Sequence, residues 1–141
     1  MVEKTLVLVK PDGVQRGLTG EIINRFERKG LRLVALKMLR FDRALSRRHY
    51  ADHVEKDFYP PLEDFIVSGP CVAMIIEGPD AIALVRLMMG ATSHLGAQAG
   101  TIRGDFSTSN RLNLVHGSDC PESAAREIGI FFKNEEIYPN A

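Results

Sequence analysis

A chain of 141 residues, 45% hydrophobic and 26% charged, suits one domain, expected over residues 1–141, with a core of ordinary size. Its 18 Lys and Arg balance 18 Asp and Glu, which argues against a protein whose main work is non-specific binding of nucleic acid or anionic membrane. Residues 1–56 carry 13 basic against 7 acidic side chains and residues 57–141 carry 5 against 11, an asymmetry that solvated surface charge accounts for at most positions.

Met1-Val2-Glu3-Lys4 leads straight into a strand-like run, without the apolar region of a secretory signal, and no apolar segment reaches membrane-span length. A cytoplasmic protein with no membrane contact is expected. Thr5 to Val9 is aliphatic and β-branched on both faces, as a central strand requires. Lys10 ends it and Pro11-Asp12-Gly13 turns the chain. Thr19-Gly20-Glu21 opens a helix with Ile22, Ile23 and Phe26 on one face and Gly30 as its stop. Leu31 to Phe41 reads as a long second strand. Arg43 to Asp52 is expected to be helical, Pro60-Pro61 breaks or starts an element, and Leu62 to Val67 forms a second short helix. Cys71 to Glu77 is a third strand, and Gly78-Pro79-Asp80 begins a helix with Ile82, Val85 and Met89 on one face. Cys71 and Cys120 are far apart and lack metal-ligand spacing, so both are expected to be reduced. A glycine- and alanine-rich loop runs from Gly90 to Gly100. Leu112, Leu114 and Val115 suit a short buried strand ending at His116, Gly117 permits a tight exit, and Pro121-Glu122 starts a helix that buries Ala125, Ile128 and Phe132.

This order, β-α-β, a helical excursion, then β-α-β, predicts an α+β fold of the ferredoxin-like, doubled split βαβ kind: a four-stranded antiparallel sheet with helices on one face. Long loops in a small domain usually carry function. The site is therefore expected between the excursion, the loop at Gly90–Gly100 and His116.

The chemistry centres on His116, whose imidazole is a nucleophile near neutral pH when held on the rim of a core. Lys10 ends a core strand and is either a snorkelling lysine or an anion ligand. Arg86 lies within an apolar helix, where its guanidinium needs a partner, either a protein carboxylate or a bound phosphate. Arg103 offers a second donor fork, with Asp105 as its obvious structural mate. With Thr92 and Asn113 these side chains would make a donor-rich pocket whose positive charge favours a neutral imidazole at His116. Such a pocket suits in-line phosphoryl transfer to nitrogen, because that reaction rests on positioning and on stabilising phosphoryl oxygens. Magnesium would be held mainly by nucleotide phosphates. Gly13-Val14-Gln15-Arg16-Gly17 is glycine-rich but is not a P-loop.

Lys10-Pro11-Asp12-Gly13-Val14-Gln15-Arg16-Gly17, Gly100-Thr101-Ile102-Arg103-Gly104-Asp105-Phe106 and His116-Gly117-Ser118-Asp119 occur in order and at the separations of one family. The chain resembles the nucleoside diphosphate kinases from about Glu3 to Glu135. The resemblance implies a ping-pong enzyme in which ATP phosphorylates His116 and another nucleoside diphosphate takes the phosphoryl group, with Mg2+ as cofactor. It also implies that Lys10, Tyr50, Arg86, Thr92, Arg103 and Asn113 hold phosphates and sugar. Phe58 would stack on the base with Leu62 behind it, and Ser118 and Glu127 would orient the imidazole. A homo-oligomer, hexamer or tetramer, is a further implication. Arg111-Leu112 stands where family members commonly carry Gly-Arg. Two rival readings weaken against the residues: a non-catalytic nucleotide binder has no need of the intact histidine, and a phosphohistidine carrier serving a protein has none for the base platform. Nucleic acid is not an expected partner, as no aromatic-basic stripe is present.

Overall fold

Five successive residues of the first strand, Thr5 to Val9, are fully buried, so both sides of that strand must be covered. The computed structural model, which describes residues 2–138, shows how. Strands β1 (Val2–Val9), β2 (Arg32–Arg40), β3 (Pro70–Pro79) and β4 (Val115–Gly117) form one sheet in the order β2-β3-β1-β4. Every pairing is antiparallel, with Val7 opposite Met74 and Leu8 opposite His116. The domain expected over 1–141 extends beyond the described residues at Met1 and at 139–141.

Alternation along β1 and β3 sends side chains to two separate cores. On one face Val7, Val9, Val72, Met74 and Ile76 pack with Ile22 and Phe26 of α2 (Thr19–Lys29) and with Val85 and Met89 of α5 (Ala81–Met89). On the other, Leu6, Leu8, Ala73 and Ile75 meet Tyr50 beside α3 (Arg43–His49), Tyr59 and Ile66 of α4 (Tyr59–Ile66), and Phe131 of α7 (Pro121–Phe131). Helices thus cover both faces rather than one. The physical reason is the apolar character of β1 and β3 on both sides, which one layer of helices would leave half in water.

Three local expectations change. Pro11-Asp12-Gly13 is the start of a one-turn helix, α1 (Pro11–Gln15), with proline in its first turn. A second short helix, α6 (Ile102–Phe106), follows the long loop, capped by the Thr101 hydroxyl, which accepts the Gly104 N–H at 2.9 Å. The last strand is only three residues long, because Leu114 takes a left-handed φ of 74°. Its N–H is given to Asp12 Oδ2 at 3.1 Å and its carbonyl accepts the Lys10 N–H at 2.8 Å, so α1 and the end of β1 take the groups a ladder would have used. In α7 the inward face carries Ala124, Glu127 and Phe131, and Ala125 is exposed. Both cysteines are free. Among the described residues no helix is long and apolar enough to cross a membrane.

Candidate active site

β4 fixes His116 opposite Leu8 of the central strand, so the imidazole leaves a rigid part of the sheet. The turn of α7 that faces it presents Glu127, whose Oε1 lies 3.0 Å from His116 Nε2 and accepts the Ser118 hydroxyl at 2.6 Å. Burial raises the affinity of Glu127 for a proton, but hydrogen bonds from His116 and Ser118 and the nearby Arg126 outweigh it and hold the carboxyl below its usual range. Glu127 is therefore a carboxylate that accepts only, which makes Nε2 the protonated nitrogen and leaves Nδ1 with the free lone pair.

His116 and Glu127 open onto a cleft of about 270 Å³, lined also by His49, Tyr50, Asp52, His53, Arg86, Asp119, Ser123 and Arg126. Arg86 donates to the Gly117 carbonyl at 3.1 Å, which ties α5 to the histidine strand. Its partner in this state is a backbone carbonyl, and the guanidinium also faces a neighbouring groove of about 420 Å³ lined by Gly90, Gln98 and Thr101. Thr92 stands exposed in the loop beyond Gly90.

Lys10, Arg103 and Asn113 form a second, deeper group behind the histidine strand. Lys10 Nζ donates to Asn113 Oδ1 at 2.8 Å, and Arg103 donates to the carbonyls of Asn113, Val115 and Gly90 at 3.2, 2.8 and 3.1 Å. Asp105 is not the mate of Arg103; it pairs with Arg25 at 2.6 Å. Burial, then the charge of Arg103, pushes the Lys10 ammonium down to about 8, and burial with Arg86 pushes Arg103 down to about 10. The hydrogen bonds of these cations go to neutral carbonyls and an amide, and only the charge of Asp12 near Lys10 offsets them in part, which leaves positive charge for an anion.

Tyr50 is buried in the wall of the cleft, with no partner for its hydroxyl among the described residues, and burial raises its phenol above the usual range, so it remains a neutral donor. Phe58 is 52% exposed, its ring 5.5 Å from that of His53 at the cleft, and Leu62 lies half-buried on α4. Ser118 is wholly buried behind Glu127.

Two residues that matter here are given no site role by the sequence reading. Asp12 pins Leu114, as described above. His49, only 3% exposed, sets its ring at 85° to that of His116 with centroids 4.7 Å apart, and neither of its nitrogens has a hydrogen-bond partner among the described residues. Burial, reinforced by His116, Arg126, Lys10 and His53, pushes His49 down to about 2, so it is neutral. The signal available for it was its place beside Tyr50 in an otherwise charged helix end.

A split βαβ sheet that presents a carboxylate-backed imidazole beside Arg86, with Lys10 and Arg103 behind it, has the chemistry of an enzyme of phosphoryl transfer through histidine. The family model for nucleoside diphosphate kinase matches residues 3–137. Curated relatives include nucleoside diphosphate kinases of a Nocardioides species, 59% identical over 92% of this chain and 96% of the relative, and of Thermus thermophilus, 57% identical over 96% and 99%. Among solved structures, a family member from Babesia bovis superposes with a TM-score of 0.94 at 47% identity, covering 99% of this chain and 94% of that one. The enzyme of Halobacterium salinarum, solved with CDP, gives 0.96 at 48% identity, over 100% and 94%. The chain belongs to the nucleoside diphosphate kinase family, whose members move a phosphoryl group between nucleotides by a ping-pong route through a histidine and commonly use a divalent cation.

Proposed function

We propose that His116 is the phosphoryl carrier of this enzyme, taking the γ-phosphoryl group of ATP and passing it to other nucleoside diphosphates. The observation that carries this is the placement of Glu127 on Nε2, which leaves the lone pair of Nδ1 for chemistry at the edge of the cleft. Nδ1 attacks the γ-phosphorus in line, the N–P bond forms, and the bond to the ADP oxygen breaks with its electron pair leaving on ADP. No proton has to move: Nε2 keeps its hydrogen, and the positive charge that develops on the ring faces the Glu127 carboxylate. Ser118 holds that carboxylate in place. The return half-reaction reverses these bonds with a β-phosphate oxygen of the second diphosphate as nucleophile.

Lys10, Arg86 and Arg103 supply positive charge for the phosphoryl oxygens, with Tyr50, Thr92 and Asn113 as neutral partners of phosphate and sugar. Phe58 offers a ring face that stacks on any base, and Leu62 backs it. Two groups of donors suit a magnesium nucleotide differently. The imidazoles of His49 and His116 are poor partners for a hard cation, whereas the exposed carboxylates of Asp119 and Asp52 at the cleft suit one that keeps its waters. Mg2+, when bound with the nucleotide, neutralises phosphate charge. The cation would be carried by phosphates, with Asp119 the nearest protein partner in kind; the Ser123 hydroxyl holds that carboxyl below its usual range.

We infer also that the enzyme is a cytoplasmic homo-oligomer, a hexamer or tetramer. The sheet ends in the edge strand β2, where Leu36 and Met38 are 50% and 65% exposed. Incubation with ATP and Mg2+ is expected to give an acid-labile phosphoprotein that GDP discharges to GTP, with both steps lost in His116→Ala. Phosphate stable to acid, or turnover by His116→Ala, would overturn the assignment.

A further inference from the structure

His49 is an unusual residue to bury beside a nucleophile. It is 97% covered, by Phe41, Tyr50, Phe131 and His116, and neither ring nitrogen has a hydrogen-bond partner among the described residues. A phenylalanine would fill the same aromatic pocket without burying two orphaned polar atoms, so the imidazole calls for a ligand. One donor atom each from His49, His116 and Glu127 lies within 4.8 Å of the other two, and all three residues line the cleft. Two imidazoles and one carboxylate, with a fourth position open to solvent, is the donor set of a three-ligand zinc centre.

We propose that His49, His116 and Glu127 form a site for a single zinc ion, which reversibly switches the enzyme off by occupying the phosphoryl carrier. The inference rests on the reading of His116 as that carrier. The cation takes the place of the proton that Nε2 shares with Glu127. That proton passes to Nδ1, the nucleophilic lone pair is gone, and phosphorylation stops until the metal leaves. Magnesium does not compete, because a hard ion prefers oxygen donors and keeps its waters.

The test is calorimetric titration of the enzyme with zinc chloride, free of nucleotide and magnesium. One zinc per chain is expected, with affinity at least 10-fold weaker in His49→Phe, which keeps the aromatic packing. Cobalt(II) gives a check that needs no variant: the wild-type protein should show the strong visible absorption of a four-coordinate ion, and a chelator that erases it should restore labelling by ATP. Unchanged zinc affinity in His49→Phe, or cobalt spectra showing only the weak bands of a six-coordinate ion, would overturn the site. Failure of the carrier reading is seen separately, as acid-labile phosphate that persists in His116→Ala.

Discussion

Glu127 touches neither phosphate nor base in the proposed reaction, and so its effect should fall on one kinetic constant. Replacing its carboxylate by the amide in Glu127→Gln keeps an oxygen for Nε2 but removes the charge that offsets the developing imidazolium. The rate of phosphorylation should drop on the order of 10²-fold, with nucleotide KM little changed. Single-turnover labelling across ATP concentrations separates the two; a variant that loses affinity and keeps its rate would show that Glu127 acts in binding. Lys10 gives a pH signature. Its folded value of about 8 lies below the ordinary 10.5, so between those limits the unfolded chain holds a proton that the folded chain has released. Stability therefore gains from this residue as pH rises through that window, while the ammonium proposed to hold phosphate is lost. A fall in kcat/KM with an apparent pKa near 8, without any loss of urea resistance, is expected. In Lys10→Gln the limb should vanish, with kcat/KM lower by roughly 10²-fold at neutral pH. Lys10, Arg86 and Arg103 were legible in the sequence because each breaks an apolar or glycine-rich context that a cation would otherwise avoid. His49 was not, since Arg47-Arg48-His49 reads as a solvated helix end. Its burial depends on Phe131, which arrives from another part of the chain.

At the scale of elements, the pattern of apolar residues located α2, α5, α7 and the first three strands, because each buries a face long enough for its period to show. The stretch before His116 misled for a local reason. Leu112, Leu114 and Val115 have strand composition, but the left-handed turn at Leu114 is imposed by Asp12 and the Lys10 backbone, contacts over a hundred residues away in sequence that no local pattern encodes. On α7 only Ala125 was misplaced: Ile128 and Phe132 do pack on the core, but the inward position beside Ile128 is taken by Glu127, a charged residue that apolar patterning passes over. Where β4 meets α5 the packing leaves no room for a side chain on Gly117: a Cβ there would sit 2.6 Å from Met89 Sδ and 3.2 Å from Val85 Cγ1. Gly117→Ala is expected to destabilise the fold by about 1–3 kcal/mol through overpacking. It should also slow phosphorylation, because α5 carries Arg86 and that residue is tied to the Gly117 carbonyl. Adding Met89→Ala removes the closest obstacle, and the pair should recover part of both losses. Urea titrations and single-turnover rates measured on the same three proteins check this. A double variant no better than the sum of its parts would mean that the strain lies elsewhere.

The whole molecule puts its candidate catalytic cleft at one end of the central strand β1 and leaves an apolar edge at the far side of the sheet. β1 and β3 are flanked on both sides by other strands, whereas β2 has a partner on one side only. Leu36 and Met38 stand opposite Met74 and Val72, on the face that α2 covers, yet remain 50% and 65% exposed. An edge strand with two exposed apolar side chains, met on its outer side by the Tyr138 N–H at the Val34 carbonyl (2.8 Å), is a liability for a free monomer, and pairing with a second copy removes it. Sedimentation velocity is therefore expected to show a species larger than one chain. Leu36→Lys with Met38→Lys, which puts two charges of the same sign on the edge of each copy, should shift the distribution to smaller species. Because neither residue approaches the cleft, phosphorylation of His116 by ATP should survive in the smaller form. If the distribution does not move, the interface lies instead on the surface that exposes Leu87, Leu95 and Leu112, and the same charge substitution at Leu87 becomes the deciding experiment.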